Sequence, residues 1–566
     1  MCTFGNALCP SRASRLVAME AVTKRRSALE RLRTEQFDVL VVGGGITGAG
    51  VALDAAARGL RTALIDQSDF AAGTSSKSSK LIHGGLRYLQ QGDVALVYEA
   101  LHERQRLLRN APHLVRMLPF MIPVMTRDGV VSRKIARALG SALWMYDLTG
   151  GWRVGRLHRR LRAKAALAHM PTMNAEKLSS AYLYLDAEAD DARLTLSIVR
   201  SAVERNAVAL NYCGVTSLNK DSSGAVVGAT VRTHEGESFG VRAKVVVNAT
   251  GVWGDAIRRM DVGGDSTTIR PAKGIHITVP WELVRNDIAV VIPVPGDKRS
   301  LFVVPHMPNA DGSYRYTYVG TTDTDYQGSI DDPQCTQEDV DYCLRALNKA
   351  VSGGRAITRD DVVGTWAGLR PLVATPDGDA GNGRTADLSR RHKVIVSESG
   401  MVTITGGKLT TYRKMAQHTV DAVLDVMRRR GTEPRASRCS TKRLGLFAAT
   451  SRNREDHLVS RFGTESSAVR ALVDADASLG QPLVPGLPYV RAEAVYSARH
   501  ELVVTLDDVL SRRTRGLIYD RHATAAAARD VARLIAPELG WDDARIDGEV
   551  KRFLDVCTRE DEAALS

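Results

Sequence analysis

The stretch FDVLVVGGGITGAG, Phe37–Gly50, decides the fold. FDVLVV is a short β-branched apolar run, the composition of a strand buried on both faces. In the turn that follows, Gly43, Gly45 and Gly48 fall at the spacing G-x-G-x-x-G, and an Ala-rich helical pattern then runs to Arg58, with Gly59 as its cap. Glycines at this spacing allow a tight turn, the approach of a pyrophosphate to the backbone, and close packing of helix on strand. The start of the helix offers unpaired N–H groups and a positive dipole end to phosphates. A second strand, TALID (Thr62–Asp66), ends about twenty residues on in a carboxylate placed to accept both hydroxyls of a ribose. Together these elements predict a Rossmann-like dinucleotide fold; the alternative is a glycine-rich turn in a nucleotide-free α/β domain. The module does not separate NAD from FAD.

Around this segment the composition is that of a globular chain. Of 566 residues, 44% are hydrophobic and 25% charged, enough apolar surface to exclude wholesale disorder. The length exceeds a single core of roughly 250–300 residues, so two or three domains are expected. A formal charge of +13 favours an anionic partner (nucleic acid, acidic lipid or a phosphorylated substrate) without choosing among them. Seven cysteines lie scattered with no Cys-x-x-Cys pair. They read as reduced thiols of an intracellular protein, with no disulfide framework and no metal. No run of roughly eighteen apolar residues occurs, so no membrane-spanning helix is expected. Residues 1–36, basic and without a hydrophobic block, read as a flexible arm rather than a secretory signal.

Downstream motifs separate FAD from NAD. TSSKSSKLIHGGLRYL (Thr74–Leu89) follows the ribose-side strand where a nicotinamide dehydrogenase would usually begin its third strand. Dense in small hydroxyl residues and glycine, it is suited to lie along an extended ligand, with Thr74, Ser75, Ser78, Ser79 and backbone amides facing it. The alternative is a Ser-rich linker, against which Leu81, Ile82 and Leu86 supply buried anchors. VVVNATG (Val245–Gly251) reads as a buried strand ending in a small-residue turn at Gly251. TITGGKLTTYRKMAQHTVD (Thr403–Asp421) reads as strand, double-glycine turn and helix.

With these strings assembled, the chain resembles the flavin-dependent, quinone-linked glycerol-3-phosphate dehydrogenases within the larger D-amino-acid-oxidase-like family. The matching pieces are GGGITGAG, SSKLIHGGLRYL, VNATG, KGIHITVP (Lys273–Pro280), GTTDTDY (Gly320–Tyr326), GLRPL (Gly368–Leu372) and GGKLTTYRK (Gly406–Lys414), in order. The resemblance implies noncovalent FAD, oxidation of sn-glycerol 3-phosphate to dihydroxyacetone phosphate, and delivery of electrons to a membrane quinone. Two departures are Asp66, where many members have Glu, and the longer basic arm.

Flavin oxidation of a secondary alcohol moves a hydride from C2–H to N5 while the hydroxyl loses its proton. It requires a base, a phosphate clamp, and donors at the flavin's N1–C2=O edge. By analogy with the family, Gly406, Gly407, Lys408 and Leu409 put amides and a helix start at that edge. Arg87, Arg370 and Lys408 are expected around the phosphate, since a dianion needs several charge-assisted donors and Arg offers a bidentate fork. Tyr88 adds a hydroxyl or is a core aromatic. His276 is the candidate base, because imidazole titrates near 6.5; the alternation Ile275, Ile277, Val279 sets it on the opposite face of a strand. Its rival is Arg370, which family members place by the reacting hydroxyl. His83 is expected to stabilise a turn, and Asp323 to cap one.

Arg133–Lys164 mixes helical apolar spacing, Trp144, Tyr146 and Trp152 with many cations, with Leu157 and Leu161 at i, i+4. It reads either as a basic amphipathic stretch at an acidic bilayer or as an ordinary surface helix. Beyond about Pro434 the pattern is helical (Arg491–Leu502, Val504–Thr514, Thr524–Leu539), with a capping or homodimerising role expected. The predicted architecture is thus α/β and α+β. An FAD-binding Rossmann-like part is interleaved with a mixed-β substrate part over 37–433, and a helical domain spans 434–566. The expected place is the cytoplasm, with peripheral attachment to the inner face of the membrane. The alternatives are an oxidase that uses oxygen on the same substrate, and an FAD-containing RNA-binding protein. The latter is disfavoured by 5% aromatic residues, too few to interleave with cations as base-stacking platforms, so no nucleic acid is expected.

Overall fold

The computed structural model describes residues 24–86, 93–125, 133–150, 157–264, 268–297, 299–352, 354–373 and 391–565. Among them the strand Gln36–Val42 lies at the centre of an eight-stranded sheet. It runs parallel to Ser238–Asn248 on one side (Val42 opposite Asn248) and to Thr62–Ile65 on the other (Val42 opposite Ile65). Val208–Leu210 extends the parallel set beyond Thr62–Ile65, and Val402–Thr405 extends it beyond Ser238–Asn248. Parallel strands bring their C-terminal ends to one edge, where ligands of open α/β sheets bind. The turns at Gly43, Asp66, Gly251 and Gly406, up to 363 residues apart in the chain, therefore share one rim. Helices Ile46–Ala57, Asp191–Val203 and Tyr412–Arg429 join a common core with this sheet through Leu53, Leu194 and Val420.

A second, ten-stranded sheet of mixed direction holds Ile269–Pro280 between Tyr314–Gly320 and Gly364–Val373, antiparallel to both. Its register sets His276 opposite Gly320 and Trp366, and Ala272 opposite Arg370. Ile275, Ile277 and Val279 enter a core with Cys343 and Leu347 of the helix Gln337–Ala350, so the strand's alternation turns His276 to the other face, as expected.

Several expectations are corrected. Residues 24–34 form a helix, with Leu32 fully buried, Arg25 bonded to Glu235 and to the carbonyl of Asn211, and Arg242 bonded to the carbonyl of Thr34. This part of the arm is not flexible: one apolar side chain and three long-range polar contacts bind it to the sheet. Residues 1–23 lie outside the described residues. Arg133–Leu148 is helical as read, but Arg159–Arg162 is a strand paired with Leu178–Ala189, so Leu157 and Leu161 share no helical face. Of Val504–Thr514 only residues 506–513 are helical, and Asp508–Arg513 within them forms a wide turn. The Asp508 carboxylate accepts the N–H groups of Val504 and Thr505 at 2.8 and 3.0 Å, which holds the entry to that turn open. Helices Arg491–His500, Arg521–Leu539 and Asp543–Ala564 pack on the second sheet through Tyr519, Trp366 and Tyr318. Among the described residues no helix is long and apolar enough to cross a membrane, no cluster of metal-ligating side chains occurs, and the cysteines are free thiols.

Candidate active site

Between the two sheets lies a cavity of 1680 Å³, beyond the roughly 300–1,000 Å³ of a pocket for one drug-sized ligand. Its dinucleotide end is built by the opening motif. Gly43 has φ +105°, and a Cβ on Gly48 would lie 1.8 Å from the Gly43 carbonyl oxygen. Gly43 and Gly45 line the cavity, whereas Gly48 is the contact that lets the helix sit on the turn. The helix Ile46–Ala57 has no acidic residue in its first turn, so its positive end is not neutralised locally. Asp66 lines the cavity with its carboxylate accepting the N–H of Gly44 at 2.6 Å and of Ser68 at 2.8 Å. Burial outweighs these bonds and pushes its pKa up to about 7.

Thr74, Ser75, Ser78 and Ser79 all line the cavity, but their hydroxyls are engaged within the protein. Thr74 donates to the Leu369 carbonyl at 2.6 Å, and Ser75 accepts the N–H of Ile46 at 2.9 Å. Ser78 donates to Asp191 at 2.7 Å, and Ser79 pairs with His276 at 2.9 Å. These serines thus pin the loop along the cavity. On the opposite wall Gly251 has φ +59°, with nothing in the protein within 4 Å of where its Cβ would be. Gly406 and Gly407 take φ +74° and +85°, conformations that cost a side-chain-bearing residue about 1 kcal/mol or more. A Cβ on Gly407 would also strike Met415 Sδ at 2.4 Å. Lys408 and Leu409 follow on the cavity wall, just before the helix Tyr412–Arg429.

Arg370 also lines the cavity. Its guanidinium donates to Thr321 Oγ1 at 3.0 Å and to the Thr322 carbonyl at 3.1 Å, and it faces Asp323 at 3.3 Å. Asp323, expected to cap a turn, instead orients this cation. Arg299 was missed by the sequence reading: it lines the cavity and donates to the Asp323 carbonyl at 2.6 Å, backing the same loop. Nothing in GDKRS distinguishes it from a surface arginine. Trp253 was also missed; its indole N–H bonds Asp331 at 2.6 Å and walls the cavity beside Gly73.

His276 is buried and stacks on Trp366 at 4.6 Å and 9°. Its Nδ1 makes no hydrogen bond to the described residues. Burial, then the charges of Lys80 and Arg370, holds its pKa well below 6.5, so the imidazole is neutral at pH 7. The expectation of an ordinary imidazole basicity is corrected by this environment. His83 lies on the cavity wall, its carbonyl accepting from Thr410 at 3.3 Å. The neighbouring Gly84 N–H donates to Asp186 at 2.9 Å, and Asp186 also accepts from Tyr146 at 2.6 Å. Tyr146, read as one of the aromatics at a bilayer, is therefore a buried brace of this turn. Arg87 and Tyr88 lie outside the described residues.

A model of the family FAD dependent oxidoreductase matches residues 38–413, and one of the C-terminal domain of alpha-glycerophosphate oxidase matches 400–546. The chain belongs to the FAD-dependent oxidoreductases. Glycerol-3-phosphate dehydrogenase 2 of Mycobacterium tuberculosis is 37% identical to this oxidoreductase over 94% of the chain and 90% of the relative. The mitochondrial glycerol-3-phosphate dehydrogenase of Homo sapiens is 34% identical, over 93% and 74%. The crystal structure of the glycerol-3-phosphate dehydrogenase from Bacillus halodurans complexed with FAD matches with a TM-score of 0.75 and 30% identity, covering 97% of this chain and 99% of that one. The cofactor of this oxidoreductase is FAD. The residues present fit it: two glycine turns at positive φ, a helix start with no acid in its first turn and the Asp66 carboxylate face one cavity.

Proposed function

We propose that this oxidoreductase converts sn-glycerol 3-phosphate to dihydroxyacetone phosphate and passes the electrons to a quinone. The observation that carries the substrate is a set of three cations on the cavity wall. Arg370, Lys408 and Arg299 all line the cavity that also holds the dinucleotide motif. A phosphate dianion draws more from three charge-assisted donor groups than an amino-acid zwitterion does. The names of the relatives agree with this reading. When bound, FAD supplies the two-electron acceptor for the C2–H bond.

The protein's own part is to bind and orient. Arg370, oriented by Thr321, Thr322 and Asp323, presents its charge to the phosphate, and Lys408 adds a point charge. His276, neutral and rigidly stacked, presents an acceptor to the alcohol; entry of a dianion offsets the field of Arg370 and raises its basicity when a proton must be taken. Asp66 takes the ribose hydroxyls.

Support for a lipid-soluble acceptor comes from an apolar part of the cavity wall made by Phe120, Ile122, Pro123, Met125, Leu139 and Met145. No group of a phosphorylated triol calls for such a wall. Met145 is 40% exposed, and beside it on the same helix Trp144 and Leu148 are 55% and 75% exposed. Exposed apolar side chains at a cavity mouth, near the basic run Arg159–Lys164, suit peripheral contact with an acidic bilayer. The C-terminal match to an oxidase domain favours oxygen as the second reading.

Anaerobic glycerol 3-phosphate should bleach the flavin band of the purified protein. Reoxidation by a quinone analogue should then outrun reoxidation by air, with little peroxide formed. An unbleached flavin refutes the substrate; stoichiometric peroxide with no quinone reduction makes oxygen the acceptor. Trp144→Ser with Leu148→Ser should weaken sedimentation with anionic-lipid vesicles, and unchanged sedimentation removes this helix from the membrane contact.

A further inference from the structure

Three arginines of the C-terminal part, Arg512, Arg513 and Arg515, lie outside the cavity yet reach the segment that lines it. Arg513 donates to both oxygens of Asp69 at 2.6 and 2.8 Å, and Arg512 Nε adds a third bond at 2.6 Å. Asp69 is fully buried three residues past Asp66. Its chain neighbours dock on the phosphate-side turn. Ala71 N–H donates to the Gly44 carbonyl at 3.1 Å, and the Phe70 ring lies so near that a Cβ on Gly44 would come within 2.4 Å of it. Arg515 donates to the Ser76 carbonyl and reaches Asp191 at 3.3 Å. Asp191 also accepts from the Ser78 N–H at 3.0 Å, the Ser78 hydroxyl at 2.7 Å and Lys80 Nζ at 3.3 Å. Ser79, between them, meets His276.

We infer that Arg512, Arg513 and Arg515 are positioning residues: the C-terminal part clamps Asp69–Lys80 against the Gly43–Gly45 turn at one end and against His276 at the other. The segment needs an outside grip. Ala71 and Lys80, near its two ends, sit at φ +64° and +60°, left-handed conformations that non-glycine residues keep only when surrounding contacts over-determine them. The Arg513 fork supplies that constraint at the Asp69 end, because two parallel charge-assisted bonds fix orientation as well as distance, and Arg512 and Arg515 add single-nitrogen contacts. Buried ion pairs of this kind add little net stability over apolar packing, so their value here is geometric. The C-terminal helices therefore act on the affinity for FAD through contacts that never touch it.

The test uses full-length Arg513→Lys, which keeps the charge and loses the fork, Arg515→Lys, which keeps the charge and loses the guanidinium geometry, and Asp69→Asn. FAD is titrated into each apoprotein by fluorescence, and amide hydrogen exchange is followed by peptide. The expected result is FAD bound at least tenfold more weakly. Exchange should quicken within residues 43–50 and 66–80 while Arg521–Leu539 exchanges as in the parent chain. Arg513→Lys combined with Asp69→Asn should be no worse than either alone. Unchanged FAD affinity, or exchange that rises evenly along the chain, overturns the inference by leaving these arginines a merely structural role. Should Arg513→Lys fail to fold, Arg515→Lys and Asp69→Asn carry the same expectation by themselves.

Discussion

Gly274→Ala is a one-methyl probe of the proposed phosphate clamp. Gly274 sits in the strand Ile269–Pro280 opposite Gly368, at an ordinary strand position with no positive φ, so alanine brings no backbone strain. A Cβ there would lie 2.3 Å from Arg370 Nη2, 2.7 Å from its Cζ and 2.6 Å from Thr321 Oγ1. Restoring an ordinary contact of 3.4 Å moves the guanidinium by about 1 Å, off the hydroxyl and carbonyl that orient it. A misplacement of about 1 Å at a positioning group costs on the order of 100-fold, roughly 2.7 kcal/mol of transition-state stabilisation. The variant should keep its flavin spectrum and its melting temperature within a few degrees. Its kcat/KM for glycerol 3-phosphate should fall about 100-fold, with KM raised. Steady-state assays beside a flavin absorbance spectrum report both. Parent-like kcat/KM in a flavin-loaded Gly274→Ala would show that Arg370 does not hold the substrate, and the clamp would have to be rebuilt around Lys408 and Arg299.

Three further outcomes follow from the same geometry. His276→Asn should slow flavin reduction at saturating substrate by about 100-fold, the scale of a lost general base; because burial and two cations hold the imidazole neutral in the free protein, kcat/KM should show no His276 inflection between pH 6 and 7. An inflection there that vanishes in His276→Asn would contradict the depressed basicity. Asp66 in the apoprotein has its pKa raised to about 7, and the ionised form accepts ribose hydroxyls more strongly than the protonated one. FAD affinity should therefore weaken up to roughly tenfold per pH unit below 7 and stay level above it, while Asp66→Asn binds weakly at every pH. A parent dissociation constant that does not change with pH would take this carboxylate off the ribose. Leu32→Ala, in the helix over 24–34, should cost about 2–5 kcal/mol, seen as a lower apoprotein melting temperature. A superimposable melt would return that helix to a loosely attached arm.

The cofactor module was legible along the chain because its chemistry is local. A turn that must pass under a pyrophosphate leaves glycines at fixed spacing, and the acid proposed for the ribose follows one helix and one strand later. The same holds for His276, whose facing was predicted by the period-two alternation of the isoleucines around it, and for Gly406 and Gly407, whose positive φ excludes most other residues. Where the reading failed, the deciding contacts were distant. Residues 24–34 looked like a solvated arm because the sequence does not show that Leu32 meets the sheet. Arg159–Arg162 looked helical because its strand partners lie 18 to 24 residues further on.

The linear code therefore determined the fold class, the cofactor and which short strings gather at one sheet edge. Tertiary packing alone decided what each gathered group can do. The serine hydroxyls are taken up by Asp191, His276 and the Ile46 amide; the imidazole is stripped of basicity by burial; Arg370 is aimed by a loop 47 residues away; and the cavity loop is gripped by arginines more than 430 residues downstream. Spacing along a chain encodes backbone shape, but protonation and orientation depend on the dielectric and charge around a group, which are set only when distant segments meet.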